Sequence, residues 1–449
     1  MGKLFGTDGV RGVANLELTP SLAMEIGRAA ALVLTKATKH KPKILIGKDT
    51  RISGDMLESA LTAGLCSIGA SVVSLGVIPT PAVAFLTRKY EADAGIVISA
   101  SHNSAEFNGI KIFNSNGYKL SDELENEIED LIESKMEGIP LPTGDAVGTL
   151  TKCDTALSDY VEFAKSTIDC DLSGMKIAID CANGASYKSA VRVIVDLGAE
   201  AYVVSNHPNG TNINLNCGST HTKGFAEYVK NINVDIGLSF DGDADRLLVI
   251  DEKGNLIDGD KIMMICAKFL KENNLLVKDT LVTTVMTNLG LVLAAKESGI
   301  NIVQTRVGDR YVLEEMLKSG FVIGGEQSGH IIFLEHNTTG DGLISALQLL
   351  SILKKSGKKL SELAEVFVPL PQVTVNAKVK NDKKALIESD EVIRGEIAAL
   401  EEEFKDSGRV LIRPSGTEPC VRVMIEGPDN ATIQKRANYL ATLIEARLS

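Results

Sequence analysis

KILIGKDTRISG, residues 43–54, runs from an apolar stretch through a polar, glycine-bearing turn into the start of a helix. The same succession recurs in KIAIDCANGAS (176–186) and TLVTTVMTNLG (280–290). Each is followed by a second apolar run that breaks into a polar loop: GIVISASHN (95–103), DIGLSFDGDADR (235–246) and FVIGGEQSGH (321–330). Ile44 to Ile96, Ile177 to Ile236 and Leu281 to Val322 are 52, 59 and 41 residues apart, so the insertions differ between units. Strand-like runs alternating with helical patterns predict βαβ units, and the recurrence predicts three related α/β domains with mixed, largely parallel sheets. After about residue 367 the pattern changes. PQVTVNAKV, the charged helix EVIRGEIAALEEEFKD, RVLIRP, CVRVMIE and a last helix predict a smaller C-terminal α+β domain. The expected segments are 1–153, 154–253, 254–366 and 367–449.

The totals bound what such a protein does. Its 449 residues, 44% hydrophobic, suffice for several cores. No apolar stretch reaches the roughly 18 residues that cross a bilayer, and MGKLFGTDGVRG has no apolar export core, so a cytoplasmic location is expected. Against 59 acidic residues stand 47 basic ones, and the net charge of -12 disfavours nucleic acid and anionic membranes as partners. An anionic small substrate then needs local cationic pockets. The seven cysteines are scattered without a CxxC pair, which predicts reduced thiols and neither a disulfide framework nor a zinc site.

Chemistry concentrates at the ends of the apolar runs, where polar side chains of α/β sites gather. DGDADR sets Asp241, Asp243 and Asp245 at alternate positions after VDIGLSF. Three converging carboxylates repel one another unless a cation lies between them, and hard oxygen ligands select Mg²⁺, Ca²⁺ or Mn²⁺. An EF-hand is excluded because Arg246 occupies the position that needs Gly and both flanks read as strands. RPSGTEP (413–419) joins Arg413, Ser415, Gly416 and Thr417 between two strands, with Arg422 nearby: amides, hydroxyls and guanidinium groups suited to a phosphate. GGEQSGH offers Glu326 and Ser328 to sugar hydroxyls, and TRVGDRYV places Arg306 and Asp309 around Gly308. FGTDGVRG contributes Arg11 and NGIKIF contributes Lys111, each a solvated cation by default. ISASHN pushes Ser99, Ser101, His102 and Asn103 into a loop, where Ser and Asn also serve simply as turn formers.

FGTDGVRG, GKDTRISG, ISASHN, NGIKIF, GTNINLNCGSTH, DGDADR, VGDRYV, GGEQSGH and RPSGTEP, in that order across essentially the full chain, resemble the α-D-phosphohexomutase family, most closely its glucosamine-phosphate branch. The resemblance implies three related α/β domains and a smaller fourth around a central cleft. It implies that Ser101 carries a phosphoryl group, and that one Mg²⁺ is held by Asp241, Asp243, Asp245 and an oxygen on Ser101. The activity implied is interconversion of glucosamine 6-phosphate and glucosamine 1-phosphate through a bound 1,6-bisphosphate, supplying amino-sugar nucleotide and cell-wall precursor synthesis. Lys111 is then the general acid/base, its pKa lowered where cationic neighbours crowd it, with His330 a weaker candidate and His102 a brace for the loop. Arg246 and Arg11 neutralise charge. Glu326 and Ser328 grip the sugar, while Arg413, Ser415, Gly416, Thr417 and Arg422 grip the phosphate that is not reacting. A homodimer through the first domain is implied too, with Ser101 primed by a kinase or by the bisphosphate.

One position departs from the family pattern: Ser104 stands where Pro usually follows the Asn, leaving the turn less restricted. Gln327 resembles the glucosamine branch, since the mannose and glucose branches usually carry Met there. Those branches remain the nearest alternative reading. A Mg²⁺-dependent phosphohydrolase with Asp241 as nucleophile and Asp243 as acid is a second, and a non-enzymatic sugar-phosphate sensor a third.

Overall fold

The central strands of the first three segments, Lys43–Lys48, Ala94–Ile98, Ile236–Phe240 and Thr280–Thr284, are buried on both faces, as in sheets covered by helices on either side. The computed structural model describes residues 4–6, 8–36, 38–139, 141–405, 407–415 and 419–448. It divides into two compact units, Met1–Met286 with Ile300–Glu365, and Thr287–Gly299 with Val366–Ser449.

The first unit holds three sheets. In the first, β1 (Val10–Val13), β2 (Lys43–Lys48), β3 (Ser71–Val77), β4 (Ala94–Ile98), β5 (Phe107–Asn114) and β6 (Leu150–Lys152) lie in the order β1-β5-β4-β2-β3-β6. The second runs β11-β10-β9-β7-β8, from β7 (Lys176–Asp180), β8 (Glu200–Val204), β9 (Ile236–Phe240), β10 (Leu247–Asp251) and β11 (Leu256–Ile257). The third runs β13-β12-β14-β15, from β12 (Thr280–Thr284), β13 (Asn301–Thr305), β14 (Ile323–Gly325) and β15 (Ile331–Phe333).

A four-strand motif repeats in all three. β2, β7 and β12 each pair in parallel with two neighbours, and the second of these, β4, β9 or β14, pairs antiparallel with the strand that follows it. ISASHN, DGDADR and GGEQSGH are therefore the same structural feature, the connection that turns the chain back along the sheet. The sheets are mixed, as the sequence predicts, and the antiparallel return strands account for the mixture. The apolar faces of the first sheet meet the helices Pro20–Leu34 and Gly54–Ser67, where Ile26, Leu57 and Leu61 join Ile44, Ile46, Ile96 and Ile98 in one core.

The second unit is built on β16 (Gln372–Lys378), β17 (Arg409–Pro414) and β18 (Cys420–Glu426), all antiparallel in the order β16-β18-β17. Val421, Val423 and Ile425, alternate residues on one face, share a core with Ile393, Leu400, Ile433 and Leu440 from the helices Glu391–Phe404 and Asn430–Leu448. The helix Leu289–Glu297, which separates β12 from β13 in the chain, belongs to this unit. Asn288 Nδ2 there donates to the Leu370 carbonyl at 3.0 Å.

Candidate active site

The β4–β5 connection bends because Ser101 takes a left-handed backbone, φ 51°, which costs a residue other than glycine about 1 kcal/mol or more. Its surroundings hold it there. The Ser101 N–H donates to Ser99 Oγ at 3.0 Å, and the Ser101 carbonyl accepts from Arg51 Nη2 at 2.9 Å and Asn214 Nδ2 at 2.8 Å. The hydroxyl, buried, donates to Asp241 Oδ2 at 2.6 Å, so the serine loop of the first sheet touches the aspartate loop of the second. Gly242 permits that approach: a Cβ at this position would stand 2.5 Å from the Ser101 carbonyl oxygen.

Asp241, Asp243 and Asp245 are all buried, and one oxygen from each lies within 4.8 Å of the others. Asp243 Oδ1 and Asp245 Oδ1 have no hydrogen-bond partner. Burial, then the charges of Asp245 and Asp243, push the Asp241 carboxyl well above its ordinary pKa. At Asp243 burial acts in the same sense, but Lys111 and the Thr80 hydroxyl, 2.9 and 2.7 Å from its Oδ2, override it and hold the pKa below the usual range. Orphaned, buried carboxylate oxygens converging on one point fit a hard divalent cation.

Lys111, on β5, is 2% exposed. Its ammonium lies 2.9 Å from Asp243 and from Asp8, and 3.4 Å from Asp245. Burial works to lower its pKa, yet Asp243, Asp8 and Asp245 together hold it well above the ordinary lysine value. The expectation of a lowered pKa is thus corrected: the groups crowding Lys111 are chiefly carboxylates, and the opposing charge of Arg11 is outweighed. From Asp8 the chain of charges continues to Lys119 at 2.5 Å, from Lys119 to Asp309 at 2.6 Å, and from Asp309 to His330 Nε2 at 3.4 Å. His330 Nε2 is 4.0 Å from Asp245, which closes a ring of acidic and basic side chains drawn from the segments of all three sheets.

His102 Nδ1 stands 3.4 Å from Ser101 Oγ and 3.3 Å from Arg246 Nη1. Burial, then Arg246 and Arg11, push its pKa down to about 4, so the imidazole is neutral at pH 7. Arg246 donates its backbone N–H to Asp241 Oδ1 at 3.2 Å, and Asp245 and Asp241 overcome its burial to keep it charged. Arg11 is exposed and pairs with Asp8 at 3.0 Å.

The third sheet's two loops meet where the Gly308 N–H donates to Glu326 Oε1 at 3.1 Å. Glu326 N–H donates to the His330 carbonyl and Gly329 N–H to the Glu326 carbonyl, so GGEQSGH is the tight turn between β14 and β15. The strand expected through this stretch ends at Gly325 for that reason. Ser328 is exposed in the turn, and Arg306, also exposed, lies over the Tyr311 ring at 4.1 Å. In the second unit, Arg413 and Arg422 are directly opposed on β17 and β18, and Ser415 is buried with its N–H bonded to the Cys420 carbonyl at 2.9 Å. Gly416 and Thr417 lie outside the described residues.

Five residues of this assembly were not singled out by sequence reasoning: Asp8, Arg51, Thr80, Lys119 and Asn214. Asp8, Arg51 and Asn214 fall inside FGTDGVRG, GKDTRISG and GTNINLNCGSTH, so motif membership was an available signal. Thr80 and Lys119 carried none.

Models of the phosphoglucomutase/phosphomannomutase family match the chain in succession: α/β/α domain I over residues 2–138, domain II over 158–254, domain III over 258–370 and the C-terminal domain over 375–443. The chain is 62% identical over 449 residues to the phosphoglucosamine mutase of Ruminiclostridium cellulolyticum, covering 100% of both. It is 61% identical over 447 residues to the phosphoglucosamine mutase of Clostridium novyi, covering 100% of this chain and 99% of that one. Among solved structures, a phosphoglucomutase/phosphomannomutase family protein from Burkholderia thailandensis shares the fold with a TM-score of 0.81 at 24% identity, over 98% of this chain and 97% of its own. The four matched domains follow one another as the four sheets do, and the chain belongs to the phosphoglucomutase/phosphomannomutase family.

Proposed function

We propose that this protein interconverts glucosamine 6-phosphate and glucosamine 1-phosphate, with Ser101 as the group that gives and takes the phosphoryl. The observation that carries the reading is the 2.6 Å bond from the Ser101 hydroxyl to Asp241 inside the buried aspartate cluster. The full-length relatives named phosphoglucosamine mutase support the choice of sugar.

Phosphorylated Ser101 donates its phosphoryl group to the free hydroxyl of the sugar monophosphate, giving a 1,6-bisphosphate. After the bisphosphate turns around, its other phosphoryl group returns to Ser101. Asp241, Asp243, Asp245 and an oxygen on Ser101 would hold Mg²⁺, whose chemistry there would be to neutralise charge on the transferring group. Arg246 adds a fixed positive charge beside the same loop, and Arg11 a second one near the serine. Lys111 exchanges a proton with the sugar hydroxyl, and Asp8 and Asp243 hold its ammonium in place. Neutral His102 braces the loop, with His330 the weaker candidate for proton transfer. Glu326 and Ser328, with Arg306, Gly308 and Asp309, take the sugar; Arg413, Ser415, Gly416, Thr417 and Arg422 take the distal phosphate. The segments 1–153, 154–253, 254–366 and 367–449 thus carry a serine loop, a metal loop, a sugar loop and a phosphate loop. A homodimer through the first segment and priming of Ser101 by a kinase or by the bisphosphate complete the proposal.

Turnover of glucosamine 6-phosphate with a trace of bisphosphate, set against mannose 6-phosphate and glucose 6-phosphate, tests the reading. The glucosamine sugar is expected to be converted fastest and Ser101→Ala to abolish conversion. Release of inorganic phosphate without isomerised sugar would assign a hydrolase instead, and wild-type turnover in Ser101→Ala would remove the serine from the mechanism.

A further inference from the structure

We propose that Arg51 is a positioning residue for Ser101, fixing the serine loop, which has Ser104 and no proline ring after Asn103, by its carbonyl oxygens. The inference rests on the reading of Ser101 as the phosphoryl carrier. The Arg51 side chain is fully buried, as is that of Asp49. Arg51 Nε donates to Asp49 Oδ2 at 2.9 Å and its backbone N–H to Asp49 Oδ1 at 2.9 Å, while Ser99 Oγ donates to Asp49 Oδ2 at 2.5 Å. One carboxylate therefore aims the guanidinium and holds the entry to the loop.

The other end of the guanidinium is spent on the loop itself. Nη2 donates to the carbonyls of Ser101 at 2.9 Å and Asn103 at 2.8 Å, and Nη1 donates to the carbonyl of Ser104. Asn214 Nδ2, from the second sheet's segment, donates to the Ser101 and Asn103 carbonyls at 2.8 and 2.9 Å. The segment bearing Arg51 is itself anchored on that side. Thr50 Oγ1 donates to the Asn183 carbonyl at 2.5 Å and Ile52 N–H to the Gly210 carbonyl at 2.8 Å.

A proline ring fixes φ at one residue, whereas this fork fixes the orientation of three peptide planes between 101 and 105. Those planes hold Ser101 in its left-handed conformation with Oγ on Asp241. None of the Arg51 contacts reaches Ser101 Oγ, so its effect passes through the loop. Lysine cannot replace it, because an ammonium lacks the planar fork that meets several acceptors at fixed angles.

The test combines kinetics with hydrogen exchange of residues 99–106. Arg51→Lys should lower kcat about 100-fold with KM changed about threefold or less, the pattern of a displaced reacting group rather than lost binding. Exchange of the loop should accelerate while the three sheets keep wild-type protection. Adding Ser104→Pro to Arg51→Lys should recover about tenfold in kcat, as expected when a ring restores stiffness to a displaced group. Should Arg51→Lys fail to fold, Asn214→Ala, which removes two of the donors, should show the same split and the same local exchange with a loss of about tenfold.

Wild-type kcat and loop exchange in whichever of the two variants folds would overturn the proposal, as would a kcat loss without faster exchange or with no recovery from proline. Failure of the mutase reading would show separately, as a wild-type enzyme that does not isomerise glucosamine 6-phosphate, since exchange needs no substrate.

Discussion

In the proposed reaction Ser101 depends on where its neighbours put it. A serine hydroxyl is a poor nucleophile and its alkoxide a poor leaving group, so the site must supply charge compensation close to the oxygen. Asp241 accepts from that hydroxyl, and Lys111 fills the space between Asp8, Asp243 and Asp245 with one positive charge. Removing the ammonium leaves buried carboxylates uncompensated. Lys111→Met is therefore expected to destabilise the metal-free protein by about 3–5 kcal/mol and to lower kcat by about 10²-fold or more. Urea unfolding in the presence of a chelator, together with steady-state rates, checks both. A variant within 1 kcal/mol of wild type, on the order of a surface pair, would mean that the ammonium is not the counter-charge described.

The element that matters most is the hairpin connection repeated in each sheet. Two such loops meet because Gly242 lacks a Cβ, which would otherwise collide with the Ser101 carbonyl at 2.5 Å and Asn214 Nδ2 at 2.8 Å. Gly242→Ala should shift the aspartate loop and lower kcat about tenfold or more, since small misplacement of reacting groups costs rate steeply. Gly224→Ala serves as the control. It lies in the helix Thr222–Ile232 with nothing within 4 Å of its added Cβ, and should raise stability by about 0.4–1 kcal/mol with unchanged rates. Kinetics and thermal unfolding of the two variants separate a loop effect from a general glycine effect.

At this scale the sequence was readable in part. The strand, turn and helix succession located β2, β7 and β12, and the polar endings located the three loops. Which strands turn back antiparallel was hidden, because an apolar run of five residues looks the same in either orientation. Single charges were hidden for a related reason. Lys111 reads as a solvated cation and Arg51 and Lys119 as ordinary ones, because the groups that fix them lie about fifty residues or more away along the chain. The pKa of Lys111 moves opposite to expectation because Asp8 and Asp243 are about a hundred residues or more away.

Across the whole molecule, net charge and local charge oppose each other. A chain at -12 would repel an anionic sugar phosphate, yet Arg11, Lys111, Lys119 and Arg246 gather around one cluster of loops. Acid–base linkage follows from the aspartates. Because the Asp241 pKa is raised in the fold, its protonation stabilises the metal-free protein at pH values below the ordinary carboxyl value, and that stability is lost as pH rises through the folded value. A divalent cation bound by the same carboxylates would take over the role of the proton. The stabilisation by Mg²⁺, read from the gap in Tm between Mg²⁺-saturated and chelated protein, should widen as pH rises from the ordinary carboxyl range toward the raised folded value, by up to about 1.4 kcal/mol per pH unit for one proton. Thermal unfolding across that range checks it, and a constant or narrowing gap would contradict the linkage.

The most direct measurement follows the phosphoryl group itself. Enzyme labelled from a radioactive sugar bisphosphate should carry the label on Ser101 and pass it, in one turnover and no more slowly than kcat, to glucosamine 6-phosphate or glucosamine 1-phosphate. Label found on another residue, or released to water as inorganic phosphate before it reaches the sugar, would contradict the account.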